Sequence, residues 1–169
     1  PYVLKEIAAA REPDSGKAVR DFDAAFFGHI GFAVSNACRA LALGLTGGRL
    51  AGAPGAGHIR RYYQQLTRLC AAFALLADVS MLVVGGALKR KEKLSGRLGD
   101  ILSQLYLCSA ALKRFEDDGR PEADLPLLYW SLQDALYRIE TAIDGLLQNF
   151  PNRFIAVMLH LMIFPTGKP

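Results

Sequence analysis

The chain has 169 residues, enough for one domain with a substantial core. Its 20 Lys and Arg against 16 Asp and Glu give a formal charge of +4, and this modest excess argues against nucleic acid, whose binders concentrate a stronger basic balance on one face. Apolar residues make up 51% of the chain, or about 57% when Gly is counted and Tyr is not, against a typical 45–50%; the surplus predicts apolar surface buried against a partner domain or subunit.

The sequence opens at Pro1 without Met and closes on Phe-Pro-Thr-Gly-Lys-Pro, so the expectation is a piece of a longer protein. No signal-peptide pattern is visible. Cys38, Cys70 and Cys108 form an odd set, each inside an apolar stretch, which predicts reduced core thiols in a cytoplasmic protein.

A short helix is predicted over 2–11, stopped by Glu12-Pro13 because the residue before proline avoids helical dihedrals. Asp14, Ser15 and Gly16 supply the break and a candidate N-cap. A long helix follows over about 17–45, with Val19, Phe22, Phe26, Ile30, Ala33, Ala37 and Leu41 recurring every three or four residues on one face. Gly28 and Gly31 inside it predict close approach of a neighbouring backbone. The Gly-rich run from Gly44 to Gly57 reads as a long, flexible connection.

The next helix, about 58–84, carries the stripe Ile59, Tyr62, Leu66, Leu69, Phe73, Leu76, Ser80 and Val83 until Gly85-Gly86 interrupts it. Whether the chain continues or turns back there is left open by the sequence. Residues 71–88 are long and apolar enough to raise a membrane span, but the central Asp78 favours a buried core helix. A third helix, about 90–117, has the strictest pattern: Leu94, Leu98, Ile101, Leu105, Cys108, Leu112 and Phe115 alternate spacings of four and three, a bundle-type seam. A fourth, about 124–149, starts at Asp124 as N-cap and carries Leu125, Leu128, Leu132, Leu136, Ile139, Ile143, Leu146 and Phe150. A short apolar helix over 153–163 ends the series. The predicted fold is all-α, a single domain over 1–169: an up-down four-helix bundle with short additional helices at both ends.

Candidate chemistry is sparse. Gly52-Ala-Pro-Gly-Ala-Gly57 has the glycine spacing of a phosphate loop, but His58 and Ile59 stand where Lys and Ser or Thr belong, and a helix rather than a strand precedes it, so a linker is the better reading. His29, His58 and His160 have no metal-ligand spacing, and no nucleophile motif is present. No catalytic, cofactor-binding or metal-ligating residue is therefore assigned. Asp78 and Asp134 fall in apolar helical stretches and call for partners, with Arg39, Arg97 and Arg138 as candidates across the bundle. The one charge cluster is Lys89, Arg90, Lys91, Lys93 and Arg97, opposed only by Glu92. Cations at a helix start are disfavoured by its positive end. The cluster is either a solvated turn or a candidate interaction surface for an acidic partner, anionic lipid or a phosphate-bearing ligand.

Several segments, taken in order, carry a resemblance: Pro1-Tyr2-Val3-Leu4-Lys5-Glu6, Gly28-His29-Ile30-Gly31-Phe32, Gly44-Leu45-Thr46-Gly47-Gly48-Arg49, Arg61-Tyr62-Tyr63-Gln64, Asp78-Val79-Ser80-Met81, Leu102-Ser103-Gln104-Leu105-Tyr106-Leu107, Gln148-Asn149-Phe150-Pro151-Asn152-Arg153 and Phe164-Pro165-Thr166-Gly167. Together they resemble the large bacterial fatty acyl-CoA dehydrogenases of β-oxidation, over essentially the whole chain. The resemblance implies a parent flavoenzyme that oxidises acyl-CoA to the trans-2-enoyl thioester, with FAD as hydride acceptor and a Glu as base. It places that Glu and the flavin-binding segments before Pro1, so no catalytic residue is carried onto this sequence. The implied role is a non-catalytic C-terminal helical domain whose partners are the catalytic core, a second subunit of a homo-oligomer, and the inner face of the cytoplasmic membrane. A free-standing helical module that binds a partner protein or an anionic membrane is the alternative.

Overall fold

The computed structural model describes residues 2–55 and 57–167, and for Val3 the backbone alone. Pro1 of the opening segment, Ala56 of the Gly52–Gly57 run, and Lys168 and Pro169 of the closing run lie outside the described residues. Every regular element is helical, with no strand among the described residues: α1 Tyr2–Ala9, α2 Ser15–Leu45, α3 Gly57–Val84, α4 Glu92–Asp117, α5 Leu125–Gln148 and α6 Arg153–Ile163, with 3-10 turns at Gly85–Arg90 and Glu122–Asp124. The contacts divide the chain into two compact units, Pro1–Cys38 and Arg39–Pro169.

In the first unit, α1 ends before Pro13, and Asp14 caps the start of α2: its Oδ1 accepts from the backbone N–H of Gly16 at 2.9 Å and of Lys17 at 3.2 Å. The Tyr2 ring lies over Gly28, where an added Cβ would stand 2.7 Å from a ring carbon. The same ring stacks on His29, and the His29 Nδ1 meets Glu6 Oε1 at 3.0 Å. Gly28 thus admits an aromatic ring rather than a backbone, and Gly31 has nothing within 4 Å. The apolar stripe predicted to face a core is instead exposed at Val19, Phe22, Phe26, Ile30 and Leu41. Periodicity identified the apolar face correctly; it carries no information on what covers that face.

The second unit is built on a hairpin of α4 and α5, with α3 packed on both and α6 on α5. Here the predicted stripes are the core. Leu94, Ile101, Leu105, Cys108, Leu112 and Phe115 of α4 are buried, and so are Leu128, Leu132, Ile139, Ile143 and Leu146 of α5. Each fully buried Leu or Ile among them contributes about 1.5–3 kcal/mol relative to exposure. On α3 the buried face is Leu66, Leu69, Leu76 and Ser80, whereas Val83 and its neighbours Met81 and Leu82 are exposed. The buried-core expectation therefore holds for one face of 71–84 and fails at its end. Two stretches, Ser15–Leu45 and Gly57–Arg90, are long and apolar enough by length and composition to cross a membrane.

Local signals explain the ends. Gly119 (φ 79°) and Arg120 (φ 61°) turn the chain out of α4, and the Arg120 N–H returns to the Phe115 carbonyl at 2.9 Å. Asp124 makes no side-chain cap; it closes a 3-10 turn, and α5 starts at Leu125 with Pro126 in its first turn. Asn152 caps α6, its Oδ1 accepting from Phe154 N–H at 3.0 Å and Ile155 N–H at 3.2 Å.

The first half of the connection between α2 and α3, as far as Ala51, is tied down by hydrogen bonds from α3. Gly47 (φ 55°) and Gly48 (φ 82°) reverse the chain after α2, and the Gly48 N–H bonds the Leu43 carbonyl at 2.6 Å. Arg61 Nη1 donates to the Gly47 carbonyl at 2.6 Å, and Gln64 Nε2 donates to the carbonyls of Arg49 and Ala51. A Cβ on Gly44 would sit 2.8 Å from the Met162 carbonyl oxygen, and one on Gly48 2.7 Å from that of Gln64. Among the described glycines, the close backbone approaches are at these two.

Candidate interaction surface

α3 runs to Val84, and Gly85 at φ 54° ends it. A 3-10 turn, Gly85–Arg90, then leads through Lys91 into α4. Gly85-Gly86 is thus a corner between two helices that pack on each other. The basic run is split by it: Lys89 and Arg90 end the 3-10 turn, Lys91 precedes α4, and Lys93 and Arg97 lie in its first turns. All five are exposed. Arg97 differs from the rest: its Nη1 pairs with Asp100 Oδ2 at 3.2 Å, and its guanidinium lies against Gly145 of α5. Lys89, Arg90, Lys91 and Lys93 form no ion pair among the described residues.

Both acidic positions singled out on the helices have partners. Asp134 pairs with Arg138 one turn along α5, at 2.7 Å and partly exposed, rather than across the bundle. Asp78 is half-buried and partnered. His58 lies edge-on to Tyr129, and His160 lies against Phe164. Among the described residues, no group of three His, Cys, Asp or Glu is placed to hold a metal. Cys108 is buried, and burial pushes its thiol up to about 11, with Cys70 adding in the same direction. Cys38 and Cys70 are exposed, against the expectation of three core thiols.

The most buried ion pair among the described residues joins residues that sequence spacing did not select. Arg68 of α3 is 4% exposed. Its Nη2 donates to Glu140 Oε1 of α5 at 3.1 Å, its Nε to Gln65 Oε1 at 2.8 Å, and its Nη1 to the Ile163 carbonyl at 3.5 Å. Its guanidinium carbon lies 5.7 Å from the centre of the Phe164 ring. Burial pulls the guanidinium below its ordinary pKa, and Glu140 opposes that. One arginine therefore ties α3, α5 and the end of α6. A cation between Leu66 and Leu69, in phase with the buried stripe, was the available signal.

The described residues do not fit a flavin. Two concavities among them are an open depression along α4 beside Tyr106 and a groove of about 260 Å³ between α4 and α5, between Arg97 and Tyr137. Neither encloses a ring system, and the two guanidiniums at the groove, Arg97 and Arg138, are committed to Asp100 and Asp134.

The fold and surface define an all-helical chain with a buried core in its second unit and apolar residues exposed on several helices. The family model described as acyl-CoA dehydrogenase, C-terminal, bacterial type, matches residues 1–169, and the chain belongs to that family. This is the family that the ordered segments resemble. It implies an oxidoreductase as parent, in a family that generally uses FAD. No solved structure matches the chain.

Proposed function

We propose that this chain is the non-catalytic helical domain of an FAD-dependent acyl-CoA dehydrogenase that oxidises fatty acyl-CoA to trans-2-enoyl-CoA in β-oxidation in the cytoplasm. Its task is to pack on the catalytic core of the same chain and, in a homo-oligomer, on a second subunit.

The observation that carries this reading is α6. Its inner face, Ala156, Leu159 and Ile163, is buried, yet Phe154, Val157, Met158 and Leu161 on the rest of its surface are exposed, Phe154 to 74%. With Arg153 and His160 exposed on one flank, α6 still presents apolar residues both inward and outward, more apolar surface than one core covers. The exposed set follows i, i+3, i+4, i+7 spacing, a single stripe ready for a second protein surface.

The test is reconstitution. Coexpressed with the segment that precedes it in the full reading frame, residues 1–169 should copurify with a flavin-bearing core, and Phe154→Asp with Leu161→Asp should abolish the association while leaving the helical signal intact. The chain alone should show no flavin absorbance and no dehydrogenase activity. Stoichiometric flavin in the isolated chain would overturn the reading.

A further inference from the structure

We infer that Cys70 of α3 and Cys108 of α4 form a redox-sensitive modification site, at which a hydroperoxide converts the two thiols into a disulfide that staples the helices together. The site uses neither the exposed stripe of α6 nor the basic turn. The helix register places the pair. α3 and α4 pack on each other and are joined at one end by the Gly85–Arg90 turn. At the other end the Tyr63 phenol is raised by burial first and then by the Glu116 carboxylate, so Tyr63 of α3 faces the last turns of α4. The two helices are therefore antiparallel. Cys70 lies seven residues after Tyr63, two turns along the same face of α3, and Cys108 lies eight residues before Glu116 on the buried seam of α4. Both steps cover about 10–12 Å along the helix, so the two cysteines arrive opposite each other. Consistent with this, the Cys108 thiol is raised by its burial first and by Cys70 second.

Size and access suit a bridge. Ala74 and Ala111, each one turn from a cysteine on the same face, are small and half-buried. Helix axes about 10 Å apart leave facing Cα atoms roughly 5 Å apart, inside the span of about 4.4–6.8 Å that a disulfide bridges. The two thiols divide the chemistry by exposure. Cys70 is exposed, and although burial of its sulfur raises the thiol, Arg39 opposes that shift and favours the thiolate. Cys108 is buried, hidden from a dissolved oxidant but not from its neighbour. The Cys70 thiolate attacks one peroxide oxygen; the S–O bond forms, the O–O bond breaks, and hydroxide leaves. Cys108 then attacks the sulfenic sulfur, the S–S bond forms, and the second hydroxide departs. The two thiol protons make both hydroxides water, so two thiols and one hydrogen peroxide give one disulfide and two waters.

The experiment uses the full-length dehydrogenase chain that carries this domain, reduced beforehand and then exposed in native buffer to hydrogen peroxide. Free thiols are blocked, and the chain is cut with trypsin without reduction. Peptide 69–89, which holds Cys70, should appear joined to peptide 98–113, which holds Cys108, lighter by two hydrogens than the sum of the two. Cys70→Ala and Cys108→Ala should each abolish the joined peptide, and Cys38→Ala should leave it unchanged. In Cys108→Ala a sulfenic-acid trapping reagent should label Cys70, which it does not do in the unaltered chain because Cys108 consumes the intermediate. Reduction should separate the peptides again. Oxidation of Cys70 in the unaltered chain without the joined peptide, bridging of either cysteine to Cys38 in its place, or no change at Cys70 would overturn the proposal.

Discussion

Arg68 on α3 and Glu140 on α5 meet at 3.1 Å with both side chains largely removed from solvent. The pair joins positions 72 residues apart, and the same arginine reaches the carbonyl of Ile163 at the end of α6. Removing one partner strands a buried charge. Glu140→Ala should therefore cost about 3–5 kcal/mol in denaturant unfolding. Replacing both residues together, as Arg68→Met with Glu140→Leu, should recover a large part of that loss, because the desolvation of both charges disappears with them. A loss in the double variant equal to or greater than that of Glu140→Ala would show that the bonds to Gln65 and Ile163, not the ion pair, carry the effect.

Gly48 and Gly31 should respond in opposite directions to the same substitution. Gly48 has φ 82° and would bring a Cβ to 2.7 Å from the Gln64 carbonyl oxygen. Gly48→Ala should destabilise by at least about 1–2 kcal/mol from the left-handed backbone alone. Gly31 lies inside α2 with nothing within 4 Å, so Gly31→Ala should gain about 0.5–1 kcal/mol from helix propensity. Thermal unfolding of the two variants checks both signs.

Ser80 is fully buried on the inner face of α3, and its Oγ has no hydrogen-bond partner among the described residues. A buried hydroxyl without a partner carries its desolvation cost uncompensated. Ser80→Ala should thus be neutral or stabilising by up to about 1 kcal/mol, whereas Leu76→Ala one turn earlier should cost about 2–5 kcal/mol through the cavity it leaves. A strongly destabilised Ser80→Ala would mean that the hydroxyl is bonded in solution.

Cys108 links stability to pH. Its thiol titrates near 11 in the folded chain against 9.0 for an ordinary thiol, so unfolding releases a proton between those values. Its contribution is fully present below about pH 9 and is lost as pH rises through about 11, amounting to about 2–3 kcal/mol. Cys108→Ala should remove that slope from unfolding curves recorded between pH 8 and pH 11. In native conditions Cys38 and Cys70 should react with a thiol reagent, Cys70 slowly because burial of its sulfur raises its pKa, and Cys108 only after unfolding.

The sequence by itself determined the helices and the core of the second unit. Helical hydrogen bonds are local, and a strict alternation such as Leu94 to Phe115 admits one buried face, so spacing alone predicts α4 and α5 and most of their buried residues. The same reasoning fixed an apolar face on α2 but assigned it to a core, and that face is exposed, because amphipathicity names a face and not its cover. The Gly44–Gly57 run read as flexible on composition, whereas Arg61 and Gln64 hold its first half by bonds to the carbonyls of Gly47, Arg49 and Ala51, 13 to 15 residues away. Only the tertiary structure decided that Asp134 pairs with Arg138 on its own helix and that Arg68, absent from every sequence motif, is the buried charge. It also set the exposed Met81–Val83 tip beside the basic turn at the α3–α4 corner. The Arg68 network depends on side chains brought together from distant positions, and the chain reversals on positive φ angles at Gly48 and Gly85, and a periodic pattern encodes neither.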